Sequence, residues 1–498
     1  MPDSTPLASG PLALRDPGLL RRQAHTGGNW IDARSGRSYA VSNPVDASLL
    51  ARVPDMGAED AQSAIVSAEA AWPAWRARTA KDRGVLMRRW FELVMANQED
   101  LARILTAEQG KPLAEARGEV GFGAAFIDWY AEEGKRITGD VLQTYNADRR
   151  IVLLKQPVGV VAAITPWNFP SAMVTRKCAP AIAAGCTVVL KPAEDTPLSC
   201  LALVELAARA GIPAGVINVV TGSAGSAPEI GRVLTGSKSV RKVSFTGSTE
   251  IGKILLRQSA DTVKKVSLEL GGNAPFIVFD DADLDLAVPG AIASKFRNMG
   301  QTCVCANRFY VQAGIYDAFA KRLVEAVGRM KVGAGWEPDV VQGPLINAQA
   351  VAKVEEHIAD ATRKGARIAL GGRRHARGGT FFDPTVLVDV PSEAQISREE
   401  TFGPVAPLYR FKTEVDAIRL ANDTDYGLAG YFYTRELNRA WRMAEALEYG
   451  VVGVNESVLS SEAVPIGGFK ESGIGREGSR YGIEAFLEIK QVTIGGMR

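Results

Sequence analysis

The sequence predicts an α/β fold: a doubly wound parallel sheet followed by a second α/β unit. Three observations lead there. β-rich runs and helical stretches alternate from Ile151 to Phe279, and a second alternating stretch runs from about Ala282 to Val454. At 498 residues the chain has length for two or three domains of roughly 150 residues each.

Taken in order, the elements follow from local pattern. Met1 to Gln23 has no hydrophobic run and carries Asp3 and Asp16, so it reads as a flexible lead-in and not a signal peptide. Residues 58–135 read as helical. The stretch from Asp60 is Ala-rich, and Arg83 to Met95 sets Val85, Leu86, Arg89, Leu93 and Val94 near a 3.6-residue period. Ile151–Leu154 and Val158–Ile164 read as strands, then a Pro-Trp-Asn loop. Strands at Cys186–Leu190, Val216–Val220, Val243–Phe245, Val266–Leu270 and Pro275–Phe279 alternate with helices at Leu198–Ala210 and Ile251–Gln258. Amphipathic helices are expected at Asp317–Met330 and Ala348–Lys364. Residues 455–480 are rich in Gly and Ser, and Ala485–Thr493 reads as a terminal strand.

Composition removes whole classes of function. Lys plus Arg (58) nearly balances Asp plus Glu (56), so no field is strong enough to gather nucleic acid or an anionic membrane. No run of about 18 apolar residues predicts a spanning helix. Five cysteines, an odd number, do not make a disulfide framework and point to a reducing, cytoplasmic setting. The three histidines are far apart, without metal-ligand spacing, so no metal site and no histidine triad is expected.

Two motif matches fail on context. Gly473-Ile-Gly475-Arg-Glu-Gly478 fits GxGxxG, but no strand leads into it. Gly247-Ser-Thr-Glu-Ile-Gly252-Lys253 nearly spells a P-loop, yet Ile254 stands where Mg²⁺ needs a hydroxyl. The second still matters by position. A strand ends at Phe245, Thr246-Gly247-Ser248 turns, and a helix begins, so free N–H groups would face a dinucleotide pyrophosphate.

Cys303, in Gly300-Gln-Thr-Cys303-Val-Cys305, sits among polar neighbours Asn298, Gln301 and Thr302, which favours an accessible thiol over a buried small hydrophobe. Cys178, Cys186 and Cys200 lie in Ala- and Val-rich surroundings and read as core. Glu269 ends a strand before two glycines, where partial desolvation would raise its pKa toward that of a general base. A solvated strand-end charge is the plainer alternative.

Six motifs then converge. Thr165-Pro-Trp-Asn-Phe-Pro170, Lys191-Pro-Ala-Glu194, Phe245-Thr-Gly-Ser248, Leu268-Glu-Leu-Gly-Gly-Asn273, Gly300-Gln-Thr-Cys303 and Glu400-Thr-Phe-Gly-Pro404 together resemble the aldehyde dehydrogenase superfamily, in its order and spacing, over roughly residues 25–495. Thr175-Arg176-Lys177, Lys295-Phe-Arg297-Asn298 and Cys303-Val-Cys305 make the succinate-semialdehyde branch the nearest likeness. Thr401 departs from the family, which more often has Ile there.

The resemblance implies a division of labour. Cys303 attacks the aldehyde carbon, Asn168 and the Cys303 N–H hold the oxyanion, and Glu269 activates the water that hydrolyses the thioester. Lys177 and Glu477 match proton-relay positions. Thr165, Pro166, Trp167, Lys191, Glu194, Gly247, Ser248, Gly252, Glu400 and Phe402 match cofactor-binding positions, with Glu194 favouring NAD over NADP by repelling a 2′-phosphate. Arg176, Arg297 and Ser460 match the residues that hold a substrate carboxylate. Cys305, two residues from the nucleophile, is a candidate redox switch.

The implied architecture is a Rossmann-type NAD-binding domain (1–136 and 158–270), a catalytic domain (271–454), oligomerisation strands (137–157 and 483–498) and a connecting segment near the active site (455–482). Self-association as a dimer or tetramer is expected. Alternatives are a glutarate-semialdehyde or broad-specificity aldehyde dehydrogenase, an enzyme passing the thioester to coenzyme A, and a catalytically silent scaffold. Glu269 argues against transfer to coenzyme A, and Cys303, Glu269 and Asn168 together argue against the silent scaffold.

Overall fold

The computed structural model describes residues 12–497. Its first large sheet has six strands in the order Gly473–Ile474, Lys265–Glu269, Val240–Thr246, Val160–Ile164, Thr187–Lys191, Ile217–Val219. All are parallel except the antiparallel edge Gly473–Ile474. The chain winds outward from Val160–Ile164 through the Thr187 and Ile217 strands. It then returns to the other side through the Val240 and Lys265 strands. The winding therefore reverses between Val160–Ile164 and Val240–Thr246, and a crevice opens at the carboxyl ends of these two strands.

Both faces of the central strand are covered, which is why its sequence is a continuous apolar run and not an alternating one. Val161 and Ala163 face a core that includes Ile182 of helix Ala172–Ala184, while Val160 and Ala162 face Ala61, Ile65 and Ala68 of helix Ala58–Ala77. Every residue of Ala172–Ala184 is buried, Arg176 and Lys177 included. A buried charge must find a partner, so this helix brings its polar requirements into the site.

The second sheet has seven strands, ordered Arg367–Leu370, Thr385–Val388, Val405–Phe411, Ala306–Gln312, Ala274–Val278, Ala429–Tyr433, Val451–Val454. Only Arg367–Leu370 runs antiparallel. A separate three-stranded sheet pairs Leu487–Ile494 with Arg150–Pro157, and Arg150–Pro157 with Val141–Leu142. It leaves Val141 75% and Ile489 66% exposed. Among the described residues no helix is long and apolar enough to cross a membrane.

Two stretches depart from expectation. Residues 1–11 of the anticipated lead-in lie outside the described residues, but the rest of it is held in place. Leu12 and Leu19 are buried, and the N–H groups of Arg15 and Asp16 both donate to the Asp100 carboxylate. In helix Ala80–Ala96 the buried face is Leu86, Met87, Trp90 and Val94, while Val85 and Arg89 face solvent. A Trp whose indole donates to the Leu203 carbonyl sets the orientation that aliphatic periodicity missed.

Candidate active site

Cys303 follows a backbone segment that few sequences tolerate. Asn298, Met299 and Gly300 have φ of 51°, 56° and 74° in succession. Left-handed non-glycine residues cost about 1–3 kcal/mol each and persist only where the surroundings over-determine them. Here they do. The Asn298 N–H donates to Glu115 Oε2 (2.8 Å), its Oδ1 accepts from Gln109 Nε2 (3.0 Å), and its Nδ2 donates to the Asn168 carbonyl (3.0 Å). A Cβ on Gly300 would stand 2.2 Å from the Gly403 carbonyl, so that position requires glycine.

Beyond this turn Cys303 is half-buried in the wall of a cavity of about 330 Å³, shared with Glu269, Arg176, Arg297, Phe169 and Ser460. Burial, followed by the nearby Glu400 carboxylate, pushes the thiol up to about 12 against the pull of Arg176. Near neutral pH it is a thiol, so nucleophilic attack needs a base to take its proton. Asn168 is buried close by, its Nδ2 donating to the Gln301 carbonyl at 3.1 Å. As a primary amide it has a second N–H to offer.

Glu269 is buried at the end of its strand. Burial first, then the Glu477 carboxylate, pushes it up to about 8. Its Oε1 has no hydrogen-bond partner, which leaves an acceptor free inside the pocket. Glu477 has the opposite balance. Burial would raise it, but Lys177 and Arg176 outweigh that and hold it below the usual carboxylate value. Lys177 Nζ lies 2.6 Å from Glu477 Oε1 and 3.3 Å from Ser244 Oγ, and Arg176 Nε lies 2.8 Å from Glu477 Oε2. Two carboxylates whose environments drive them apart suit one ionised partner and one titrating base.

Arg297 differs from Arg176. Arg176 is ion-paired with Glu477, whereas no carboxylate among the described residues pairs with Arg297, and its guanidinium lies 5.7 Å from the Phe169 ring centre. Lys111, also at this cavity, is spent on Glu119 at 2.5 Å. Arg297 is therefore the cation left for an incoming anion, with the Ser460 side chain on the same cavity.

Cys305 is 2% exposed and directs its Sγ to the Lys295 carbonyl, 3.5 Å away. Cys178, Cys186 and Cys200 are in the core, where burial raises each thiol.

The crevice at the winding reversal fits a dinucleotide. Thr165, Pro166 and Trp167 follow one strand, while Gly247 and Ser248 follow the other. Ser248 caps helix Thr249–Ala260 by accepting from the Ile251 N–H, so the N-terminal N–H groups of that helix open on the crevice. Gly252 is closely backed by Leu270, with no room there for a side chain. The buried Thr246 hydroxyl lacks a partner. Lys191 Nζ lies 3.6 Å from Glu194 Oε2 at the edge of the neighbouring strand. Across the crevice, Glu400 Oε1 accepts from the Gly272 N–H (3.3 Å), and burial pushes this carboxyl up to about 7. Phe402 meets Trp167 edge-on at 5.4 Å.

Sequence reasoning missed Gln109, Glu115, Lys111 and Glu119. They sit in or beside helices read only for apolar periodicity, and the one local sign was the helix break at Lys111-Pro112.

A doubly wound sheet opening on a half-buried cysteine with a raised carboxylate on the same cavity defines a dinucleotide-dependent enzyme of the covalent-cysteine type. The chain belongs to the aldehyde dehydrogenase family, whose model matches residues 30–492. It is 61% identical over 484 residues to the succinate-semialdehyde dehydrogenase [NADP(+)] GabD of Escherichia coli K12, covering 97% of this chain and 100% of the relative. It is 60% identical over 486 residues to a glutarate-semialdehyde dehydrogenase of Pseudomonas aeruginosa, covering 98% and 100%. A crystal structure described as an E. coli NADP-dependent enzyme superimposes with a TM-score of 0.96 at 61% identity, covering 97% and 100%.

Proposed function

We propose that this enzyme oxidises an aldehyde carrying a distal carboxylate, succinate semialdehyde first, to the dicarboxylate with NAD(P). The observation that carries the reading is Arg297, a cation without a carboxylate partner on the cavity that holds Cys303. A charge-assisted pair there fixes the substrate tail and leaves the aldehyde at the thiol. One methylene more gives glutarate semialdehyde, and such a difference is worth only ~10–200-fold. The Pseudomonas relative keeps that substrate as the second reading.

Cys303 Sγ adds to the carbonyl carbon as Glu269, the titrating base on the same cavity, takes the thiol proton, and the Asn168 amide with the Cys303 N–H steadies the oxyanion. The bound dinucleotide would supply the hydride acceptor. Its adenosine ribose is assigned to Lys191 and Glu194, its pyrophosphate to the Ser248 helix start, and its nicotinamide ribose to Glu400 beside Phe402. Glu269 takes a proton from water, the hydroxide adds to the acyl carbon, and the C–S bond breaks to return Cys303. Glu269 releases each proton to solvent before its next turn, and Glu477, held ionised by Lys177 and Arg176, is the fixed negative charge that acts on it. Glu194 makes NAD the preferred cofactor.

The exposed apolar sheet of Leu487–Ile494 and Arg150–Pro157 supports self-association. Five unpaired cysteines suit a reducing cytoplasm. The test compares kcat/KM for succinate semialdehyde and butyraldehyde. A preference above about a hundredfold supports the carboxylate reading, and equal values overturn it.

A further inference from the structure

Helix Ala348–Arg363 packs directly on the segment 399–403, which holds Glu400 and Phe402 and leads into strand Val405–Phe411. Three contacts join them. His357 is fully buried, with Nδ1 3.1 Å from Thr401 Oγ1. Its Nε2 has no hydrogen-bond partner and faces Glu399 Oε2 at 3.6 Å. Val354, one turn earlier, backs Gly403 so closely that a Cβ there would stand 2.3 Å from its Cγ2.

The opposite side of the segment touches the cysteine turn, because the Gly403 carbonyl lies against Gly300. Between these supports Phe402 adopts φ 54°, a left-handed conformation unfavourable for an aromatic residue. The segment that presents Glu400 is thus wedged between a helix and the nucleophile loop, and it carries strain that its neighbours must hold. Burial and the Lys353 ammonium keep His357 below its ordinary value despite the Glu399 and Glu356 carboxylates. Near neutral pH it therefore meets Thr401 as an uncharged ring. Thr401 itself is 2% exposed, and His357 is the partner its hydroxyl has.

We propose that His357 and Thr401 form a positioning pair that locks segment 399–403 and so aims Glu400 and Phe402 at the nicotinamide-riboside half of the dinucleotide. This rests on the assignment of Glu400 to that ribose. Neither residue touches the reacting atoms; each acts through the segment it holds.

The test uses T401V, which keeps the shape and removes the hydroxyl, with H357L, the double variant and E400Q, all in the full-length enzyme. The readouts are dinucleotide Kd, both KM values, and Tm. Each single variant should weaken the dinucleotide about three- to tenfold, the worth of one hydrogen bond, and leave semialdehyde KM within about twofold. The double variant should be no worse than the weaker single, as expected of one shared contact. If T401V and H357L leave the dinucleotide Kd unchanged while E400Q raises it, the pair's role is overturned and the ribose assignment stands. If E400Q also leaves Kd unchanged, the ribose assignment fails and the pair's role fails with it. Equal weakening of both substrates, following a fall in Tm, marks the pair as core packing only and overturns the proposal.

Discussion

Arg176 and Glu477 form a buried ion pair, Nε to Oε2 at 2.8 Å, that ties Arg176 to a carboxylate of its own chain. Its Nη2 lies 3.9 Å from Glu269. The two pocket arginines therefore do different work, and their variants should separate. R297A is expected to lower kcat/KM for succinate semialdehyde about 10- to 150-fold, the worth of one charged hydrogen bond, and to leave butyraldehyde nearly unchanged. R176A should slow both aldehydes and lower Tm, because it leaves Glu477 short of a buried cation. Equal profiles for the two variants would refute this separation.

The raised value of Glu269 fixes a pH dependence. A base at about 8 is protonated below that and free above it, so turnover limited by thioester hydrolysis should rise with pH through about 8. The Glu477 charge is the second cause of that elevation, after burial. E477Q removes the negative charge and leaves Lys177 and Arg176 to act on Glu269, which lowers its value. The acid limb of kcat should therefore move to lower pH, even if the plateau falls. A limb that stays in place would disconnect Glu477 from the base.

Much of this site was legible because its chemistry is written in contiguous motifs. Cys303, Glu269 and Ser248 each sit where a strand or turn ends, and turn residues mark those ends in the sequence. The doubly wound sheet was legible for a similar reason, since its strands are uninterrupted apolar runs. Long-range polar contacts left no such mark. Nothing near Asn298 announces that Glu115 and Gln109, more than 180 residues earlier, hold it in a left-handed turn. Helix Ala172–Ala184 escaped notice because Pro180 interrupts it and it has no polar face to give it a period. The pairing of Arg176 with Glu477 was equally hidden, because a sequence shows a cation and not what neutralises it.

Glu400 bears on the Cys303 thiol as well as on the ribose site proposed for it. After burial, its carboxylate is the next cause of the high Cys303 value. E400Q should therefore lower the thiol pKa and speed alkylation of Cys303 by iodoacetamide. The carboxyl itself titrates at about 7, so the advantage over wild type should be small in acid and grow as pH rises through that value. Rates are best followed by mass spectrometry on Cys303, since four other cysteines are present. An E400Q rate that parallels wild type across pH would show that the carboxylate does not reach the thiol.

The proposed preference for NAD turns on Glu194. Its Oε2 lies 3.6 Å from Lys191 Nζ, and its side chain is 37% exposed. A ribose 2′-hydroxyl can donate to this carboxylate, whereas a 2′-phosphate brings two more negative charges to it. Partial exposure softens that repulsion, and salt screens it further. E194S should therefore raise kcat/KM for NADP relative to NAD by about tenfold or more, because Lys191 is then free to pair with the phosphate. In wild type the preference for NAD should shrink as ionic strength rises, since charge repulsion is its source. The E. coli relative at 61% identity is named for NADP(+), so general similarity does not decide the matter. If wild type uses NADP as well as NAD at low salt, or if E194S leaves the ratio unchanged, selection lies elsewhere in the crevice.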